Sequence, residues 1–542
     1  MKKKTFILLG GLLLGCVTTL SAQTLPADFE KHLKSASVSV SGDTLIASTG
    51  KMERKWILNE AGLRTVSVKD LSTNKEWGKE QPNVVCDWDL PGAITPTSKA
   101  VLKDIEAKVS DDDGFINEHL EIVTTFQYDS ARLELQHVVW LFPDANGLRT
   151  QLRVKALEGF KSEGLPEKET SRNYFGHTLS VPSGRVEYLP LDYSVKNQRR
   201  YWGYYNNPGS RHDQSRDMLK EEVVVGYPVF QDEDINWASC VSSEYENEGV
   251  IVVKESHKCV NQQGHNTGSF YAGPKGLFVT GWGLNPNEIV PDRFRECWAN
   301  WTIVYSGGED GMQLALKKFD RTRYPVFPER DIMIINDTWG PANPGGGQFA
   351  AEDYLLKEIP LLADLGVDVL RIDDGWQINP WGGEKEVFHP SYKDGWKNII
   401  ESCKKNDVKL GLWIAIQRAK QKDLLLNLKE ANVVTWKVDF DHLNNRSAFE
   451  NRFKGIREVM KNAWMKTQFS FCPEYDDPRY GWYYAKEYGS IYFQNIQEAL
   501  PEHLIMVPYH VLRQHWLMSK YFNSNKLQVL LQNPKRVDTR YS

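Results

Sequence analysis

A chain of 542 residues exceeds what one ordinary hydrophobic core holds, so two or three domains, or one large barrel with an added module, are expected, and a single small binding domain is excluded. Lys and Arg total 66 against 71 Asp and Glu, a formal charge of -5 with 41% hydrophobic and 25% charged residues, which argues against a dedicated nucleic-acid binder and against a disordered chain. Eighteen Trp, 23 Tyr and 22 Phe form a heavy aromatic load, suited to cores and also to the apolar faces of sugars.

Residues 1–22 read as a secretory signal peptide: a cationic MKKK start, an apolar run from Phe6 to Gly15, and Leu20-Ser21-Ala22 before a cut at Gln23. The mature chain is therefore expected in the periplasm or secreted. A second reading makes Cys16, in Leu13-Leu14-Gly15-Cys16, a lipidated N-terminus. No later stretch approaches about 20 uninterrupted apolar residues, so no membrane span is expected. Beyond Cys16 the cysteines stand at 86, 240, 259, 297, 403 and 472 without a CxxC pair, which excludes a zinc ribbon; a Cys240–Cys259 hairpin staple is chemically allowed, and the pairing stays open.

From 23 to 328 the chain reads as strands. VSVSGDTLIAS, LEIVTTFQY, RLELQHVVWLF, LRTQLRVKAL and GLFVTGWGL alternate apolar and polar residues between turn-forming clusters, with no convincing amphipathic helix, which predicts a large antiparallel β-sandwich. RRYWGYYNNPGSRHD, at 199–213, reads as a packed irregular connection in preference to a loop reaching a ligand.

From 329 to 542 strand-like runs alternate with helical ones. The strands are IMIIND, VDVLRID, LGLWIAI, VVTWKVDF, TQFSFC, SIYFQNI and LQVLLQ, with helices such as EDYLLKEIPLLADLG and AFENRFKGIREVMKNAW between them. That alternation predicts right-handed βαβ units in a (β/α)8 TIM-type barrel, with an open doubly wound sheet second; no GxGxxG follows any strand, which disfavours a dinucleotide fold. Seven strands are counted, so the barrel is expected to lack its last strand.

In a parallel barrel the chemistry gathers at the carboxyl ends of the strands. The second strand ends in Arg371-Ile372-Asp373-Asp374-Gly375-Trp376, adjacent carboxylates able to accept from sugar hydroxyls while a ring covers the sugar face; an Asx turn is the alternative. The fourth ends in Trp436-Lys437-Val438-Asp439, where period two puts Lys437 beside Asp439, a pairing suited to an ionised nucleophile; a structural ion pair is the alternative. Trp339 follows the first strand, Trp413 lies on the third, and Cys472, Glu474, Asp476, Asp477 and Arg479 follow the fifth. Glycoside cleavage uses two carboxyl groups, about 5–5.5 Å apart for retention or about 6.5–9.5 Å for inversion. With no HxH or HExxH, a metal hydrolase is the weakest reading, and neither metal nor cofactor is expected.

Together Trp339, LRIDDGW, GLWIA, WKVDF and Cys472 resemble the α-galactosidases of glycoside hydrolase families 36 and 27, over roughly 331–480. The resemblance implies a β-sandwich joined to a (β/α)8 barrel, retention through a covalent glycosyl-enzyme on Asp439, and a terminal galactose held by Trp339, Asp373, Asp374, Trp413, Lys437, Cys472 and Arg479. The family's acid/base aspartate at the end of the sixth strand is Asn495 here, and an amide cannot deliver a proton. Its GLW motif continues into Glu-Pro-Glu, whereas this chain reads Ile414-Ala415-Ile416-Gln417. A replacement acid is sought among Glu474, Asp476, Asp477 and Glu498, and Asp477 is taken. The expected partner is an oligosaccharide or glycoside, not nucleic acid; the competing reading is a degenerate relative that binds carbohydrate without turning it over.

Overall fold

A computed structural model describes residues 24–79, 81, 83–162, 184–192, 198–204, 219–225, 233–235, 238–255, 268–338, 347–377, 390–416, 419–439, 446–471, 486–492 and 508–528. The period-two segments of the N-terminal part become antiparallel sheets of six, ten and four strands. The six-stranded sheet runs in sequence order from Glu30–Leu33 to Lys75–Glu76. At the centre of the ten-stranded sheet, Gly147–Ala156 pairs with Leu133–Leu141 on one side and Asn300–Ser306 on the other.

Alternation explains why this sheet is buried on both faces. Val139 and Leu141 belong to a core shared with Trp56, Leu63 and Val68 of the six-stranded sheet. Their neighbours Val138, Trp140 and Phe142 join a second core with Trp301, Ile303 and the outer faces of the parallel strands. The ten-stranded sheet is thus the middle layer of the molecule.

Its first core contains a charge cluster. Arg54 Nη2 donates to Glu187 Oε1 at 2.5 Å and lies 3.4 Å from Asp87 Oδ2, while Thr65 N and Trp56 Nε1 donate to Asp87 at 2.7 and 3.1 Å. One guanidinium faces two carboxyls. Burial pushes Asp87 from 3.8 up to about 7, against the pull of Arg54 and with Glu187 adding to the rise. A folded-state value above the unfolded one means that the folded chain holds the extra proton, so this contribution to stability is full below pH 3.8 and is lost as pH rises through about 7. Urea unfolding across that window should show stability draining away with rising pH, and Asp87→Asn should flatten the slope. An unchanged slope in the variant would refute the assignment.

Two elements differ from the sequence expectation. Gly308–Arg323 is an α-helix inside the stretch read as strands only. It buries Met312, Leu316, Phe319, Asp320 and Arg323, a helical spacing diluted in the sequence by two glycines and a run of charges. The first part of the 199–213 connection is also regular: Gln198–Tyr204 is a strand paired with Cys240–Tyr245 and Leu219–Val224.

The C-terminal part holds seven parallel strands in sequence order: Ile335–Asp337, Val369–Ile372, Lys409–Ala415, Thr435–Asp439, Gln468–Phe471, Gly489–Tyr492 and Leu527–Gln528. The helices Glu352–Asp364, Lys397–Lys405, Gln421–Ala431, Arg446–Asn462 and Pro508–Ser519 lie between them. Outward residues such as Leu370, Leu412, Trp436 and Phe469 pack in the apolar core, and the alternate positions include the polar Asp337, Arg371, Thr435, Lys437 and Asp439. The sheet curls. Lys526 Nζ, at the foot of the seventh strand, lies 3.5 Å from Asp331, just ahead of the first, and Ser470 Oγ donates to Gln528 Oε1 at 3.0 Å. Among the described residues there is no eighth strand, and no helix is long and apolar enough to cross a membrane.

Candidate active site

The inward positions build the site in layers. Parallel pairing sets Asp337 beside Arg371, Gly411 beside Thr435, and one layer higher Trp413 beside Lys437, with Ala415 beside Asp439 at the strand ends. Gly411 is required by crowding, because a Cβ there would meet Thr435 Cγ2 at 2.6 Å and Arg371 Cβ at 3.2 Å. Gly375, at φ +115°, turns the chain sharply after the paired aspartates.

Asp439 is buried at the end of the fourth strand, where Trp413 Nε1 donates to its Oδ2 at 2.7 Å and Lys437 Nζ lies 3.9 Å away. Lys437 makes its short contact with Asp373 Oδ2, at 2.6 Å. Burial opposes the ammonium form, yet Asp373, Asp337 and Asp439 around it hold Lys437 above its ordinary range. Asp373 Oδ1 accepts from Asp374 N at 2.7 Å, and Asp373 N donates to Thr338 Oγ1 at 2.8 Å. Of the two adjacent aspartates Asp373 is therefore fixed inside, whereas Asp374 is only partly buried. Burial raises Asp374 as well, opposed by a backbone hydrogen bond from Gly375.

The structure thus brings together five of the expected residues: Asp373, Asp374, Trp413, Lys437 and Asp439. Trp339, Cys472, Asp477 and Arg479 lie outside the described residues, as do Glu474, Asp476, Asn495 and Glu498. Trp376 does not cover a sugar face. It is fully buried, its Nε1 donates to the Trp413 carbonyl at 3.1 Å, and its ring packs 5.4 Å from Trp396. Asp337 and Thr338 were missed, although the rule that site residues close the strands points directly at Asp337. Among the described residues no group of three or more His, Cys, Asp or Glu is placed to hold a metal ion.

Trp413 is 2% exposed, so its ring is committed to packing and its N–H to Asp439. A hydrogen bond to a charged group contributes about 1.5–3 kcal/mol. Trp413→Phe should therefore cut turnover roughly ten- to a hundredfold, at about 1.36 kcal/mol per decade, while sparing the fold. Unchanged kcat in the variant would show that this N–H does not position Asp439.

Antiparallel sheets stacked against a curled parallel sheet are the arrangement this chain shares with solved α-galactosidases of glycoside hydrolase family 36, and the likeness is one of fold. AgaB from Geobacillus stearothermophilus matches with a TM-score of 0.58 at 10% identity, covering 92% of this chain and 79% of that one. A variant of AgaA from the same organism, solved in complex with raffinose, matches at 0.57 and 11% over 90% of this chain and 78% of that one. The α-galactosidase from Lactobacillus brevis gives 0.57 at 10%, over 91% and 77%. No protein-family model and no curated protein matches the sequence.

Proposed function

We propose that the protein is a retaining glycoside hydrolase acting on terminal α-galactosides or related α-linked sugars. The observation that carries this reading is the carboxyl of Asp439 at a strand end, with the Trp413 N–H at 2.7 Å and the Lys437 ammonium at 3.9 Å. In this mechanism an Asp439 oxygen attacks the anomeric carbon as the glycosidic C–O bond breaks, and the leaving oxygen takes a proton from a second acid, for which Asp477 is our assignment. Water then attacks the glycosyl-enzyme, giving its proton to the same acid and releasing Asp439. Lys437 and Asp373 orient the nucleophile from beneath, and Asp374 accepts from the sugar hydroxyls. Raffinose and stachyose are bound by variants of AgaA, so raffinose-type oligosaccharides are the first substrates to offer. Residues 1–22 and the choice between cleavage before Gln23 and lipidation at Cys16 make this an exported protein in our reading, which N-terminal sequencing of the mature chain decides.

Asn495 favours a second reading, in which the protein binds the sugar without turning it over. A panel of aryl α-glycosides separates the two. Release of the phenol from the α-galactoside supports the hydrolase, whereas calorimetric binding of galactose with no release from any member supports the second.

A further inference from the structure

Between the ten-stranded sheet and the helix Arg446–Asn462 lies a cleft of about 430 Å³ that the proposed chemistry does not use. Its floor is the sheet, with Glu121 and Arg153 among its side chains, and its roof is one face of the helix, where Lys454, Arg457, Glu458 and Lys461 recur every few residues. Asp439 is not among the walls. Phe453 of this helix packs on Phe471 of the fifth parallel strand, ring centroids 6.2 Å apart, in the apolar layer that also takes Trp436 and Val438. Period two therefore turns Asp439 to the other side of the parallel sheet.

Most of the charge in the walls is already committed. Arg149 Nε and Arg323 Nη2 donate to Glu255 at 2.8 and 2.7 Å, Arg457 Nη1 donates to Asp112 and Glu487 at 3.0 and 2.9 Å, and Lys461 Nζ lies 3.2 Å from Asp113. A ligand carrying net charge would have to break such a pair and strand its partner. Arg153 is held differently. Its Nη2 stands 3.4 Å from Glu121 Oε2 and its Nε 3.5 Å from Glu296 Oε1, against about 2.7–2.9 Å for a close charge-assisted contact. Strand register keeps the spacing, because Arg153 and Glu296 are paired across neighbouring strands, and Glu121 takes its short hydrogen bond from Trp140 Nε1 at 2.8 Å. A hydroxyl can accept from such a guanidinium while its own proton goes to the carboxylate. On the facing helix Lys454 and Glu458, one turn apart, offer a second donor and acceptor.

We propose that this cleft is a second binding site, for an uncharged mono- or disaccharide, with Arg153 and Glu296 binding its hydroxyls from the sheet and Lys454 and Glu458 from the helix. Hydroxyls that donate and accept at once match neighbouring cations and carboxylates without disturbing the committed pairs. The volume stands toward the lower end of the ~300–1,000 Å³ of small-molecule sites. The sugar class follows from these walls and does not depend on turnover at Asp439.

The test reads the cleft itself. In the full chain Ser110→Cys puts a thiol in its partly buried wall with little change of volume, and alkylation of that thiol by iodoacetamide is timed with and without galactose, glucose or lactose, the wild type serving as the blank for the native cysteines. Lys461→Cys, at a more exposed position of the same cleft, is the second reporter. A sugar at ten times its Kd should slow the reaction about tenfold. Arg153→Leu, which keeps an apolar stem and removes the fork, should abolish that protection; Glu296→Gln should weaken it and decides the matter if Arg153→Leu does not fold. Asp439→Asn should leave it unchanged. Failure of all three sugars to protect either thiol overturns the site. Protection by phosphate, glucuronate or glucosamine in place of the neutral sugars overturns the ligand class, and protection that survives both Arg153→Leu and Glu296→Gln overturns the assigned pair. Protection that disappears with Asp439→Asn would belong to the strand-end site and overturn a second one. A wild type without glycosidase activity would refute the hydrolase reading and leave the result for the cleft as it stands.

Discussion

Asp439→Asn should lower turnover of an aryl α-galactoside by about 10⁴-fold or more, and should leave the folded protein nearly as stable as before. Removing a nucleophile that acts with a second group forfeits most of the chemical acceleration, and four decades correspond to about 5 kcal/mol of barrier. Stability is a separate matter because Lys437 keeps its closer partner, Asp373 at 2.6 Å, when the more distant carboxylate at 3.9 Å becomes an amide. The Trp413 N–H likewise keeps an acceptor in the amide oxygen, so packing around the fourth strand is retained. The expected pair of results is a dead enzyme with an unshifted melting curve. Activity within about tenfold of wild type would remove Asp439 from the role of nucleophile, and a collapse of the fold would assign it to structure.

The parallel sheet was legible because its strands are buried on both sides and separated by helices of ordinary length, so each run declares itself locally. All seven runs read from the sequence are strands in the structure. The geometry at the strand ends was less legible, since side-chain direction depends on the turn that follows a strand. Trp376 follows two aspartates and a glycine, and the sequence reads it as an exposed ring; the positive φ of Gly375 instead folds it beneath the strand ends into the core. Asp337 closes a three-residue strand within Asn-Asp-Thr-Trp, a string of turn-formers, and only its pairing with Arg371 shows that it faces inward. Lys437 was readable from period two alone, but its closer tie to Asp373 than to Asp439 arises from the curl of the sheet, which no local pattern encodes.

The same dependence on distant partners makes Glu255 the most vulnerable position away from the site. Glu255 Oε2 accepts from Arg149 Nε at 2.8 Å and from Trp301 Nε1 at 2.9 Å, while Arg323 Nη2 donates to Oε1 at 2.7 Å. Burial would raise the carboxyl, yet Arg149 and Arg323 overcome it and hold Glu255 down at about 2. These three residues come from two strand regions of the ten-stranded sheet and from the end of the helix Gly308–Arg323. That helix also carries Asp320, bound at 2.7 Å by Lys486, and Glu487 next to Lys486 accepts from Arg457 at 2.9 Å. Lys486 and Glu487 lead directly into the sixth parallel strand, so the buried chain of charges ties the ten-stranded sheet to that strand. Glu255→Ala leaves two buried guanidiniums and an indole N–H without their acceptor, a loss of about 3–5 kcal/mol. Glu255→Gln, which keeps an acceptor, should cost less. For the wild type, the lowered carboxyl contributes stability that is full above pH 4.5 and is lost as pH falls toward about 2, a slope that both variants should lack. Urea unfolding followed by tryptophan fluorescence reads the difference, and a change below about 1 kcal/mol in Glu255→Ala would mean that the ten-stranded sheet and the parallel sheet are held together by apolar packing alone.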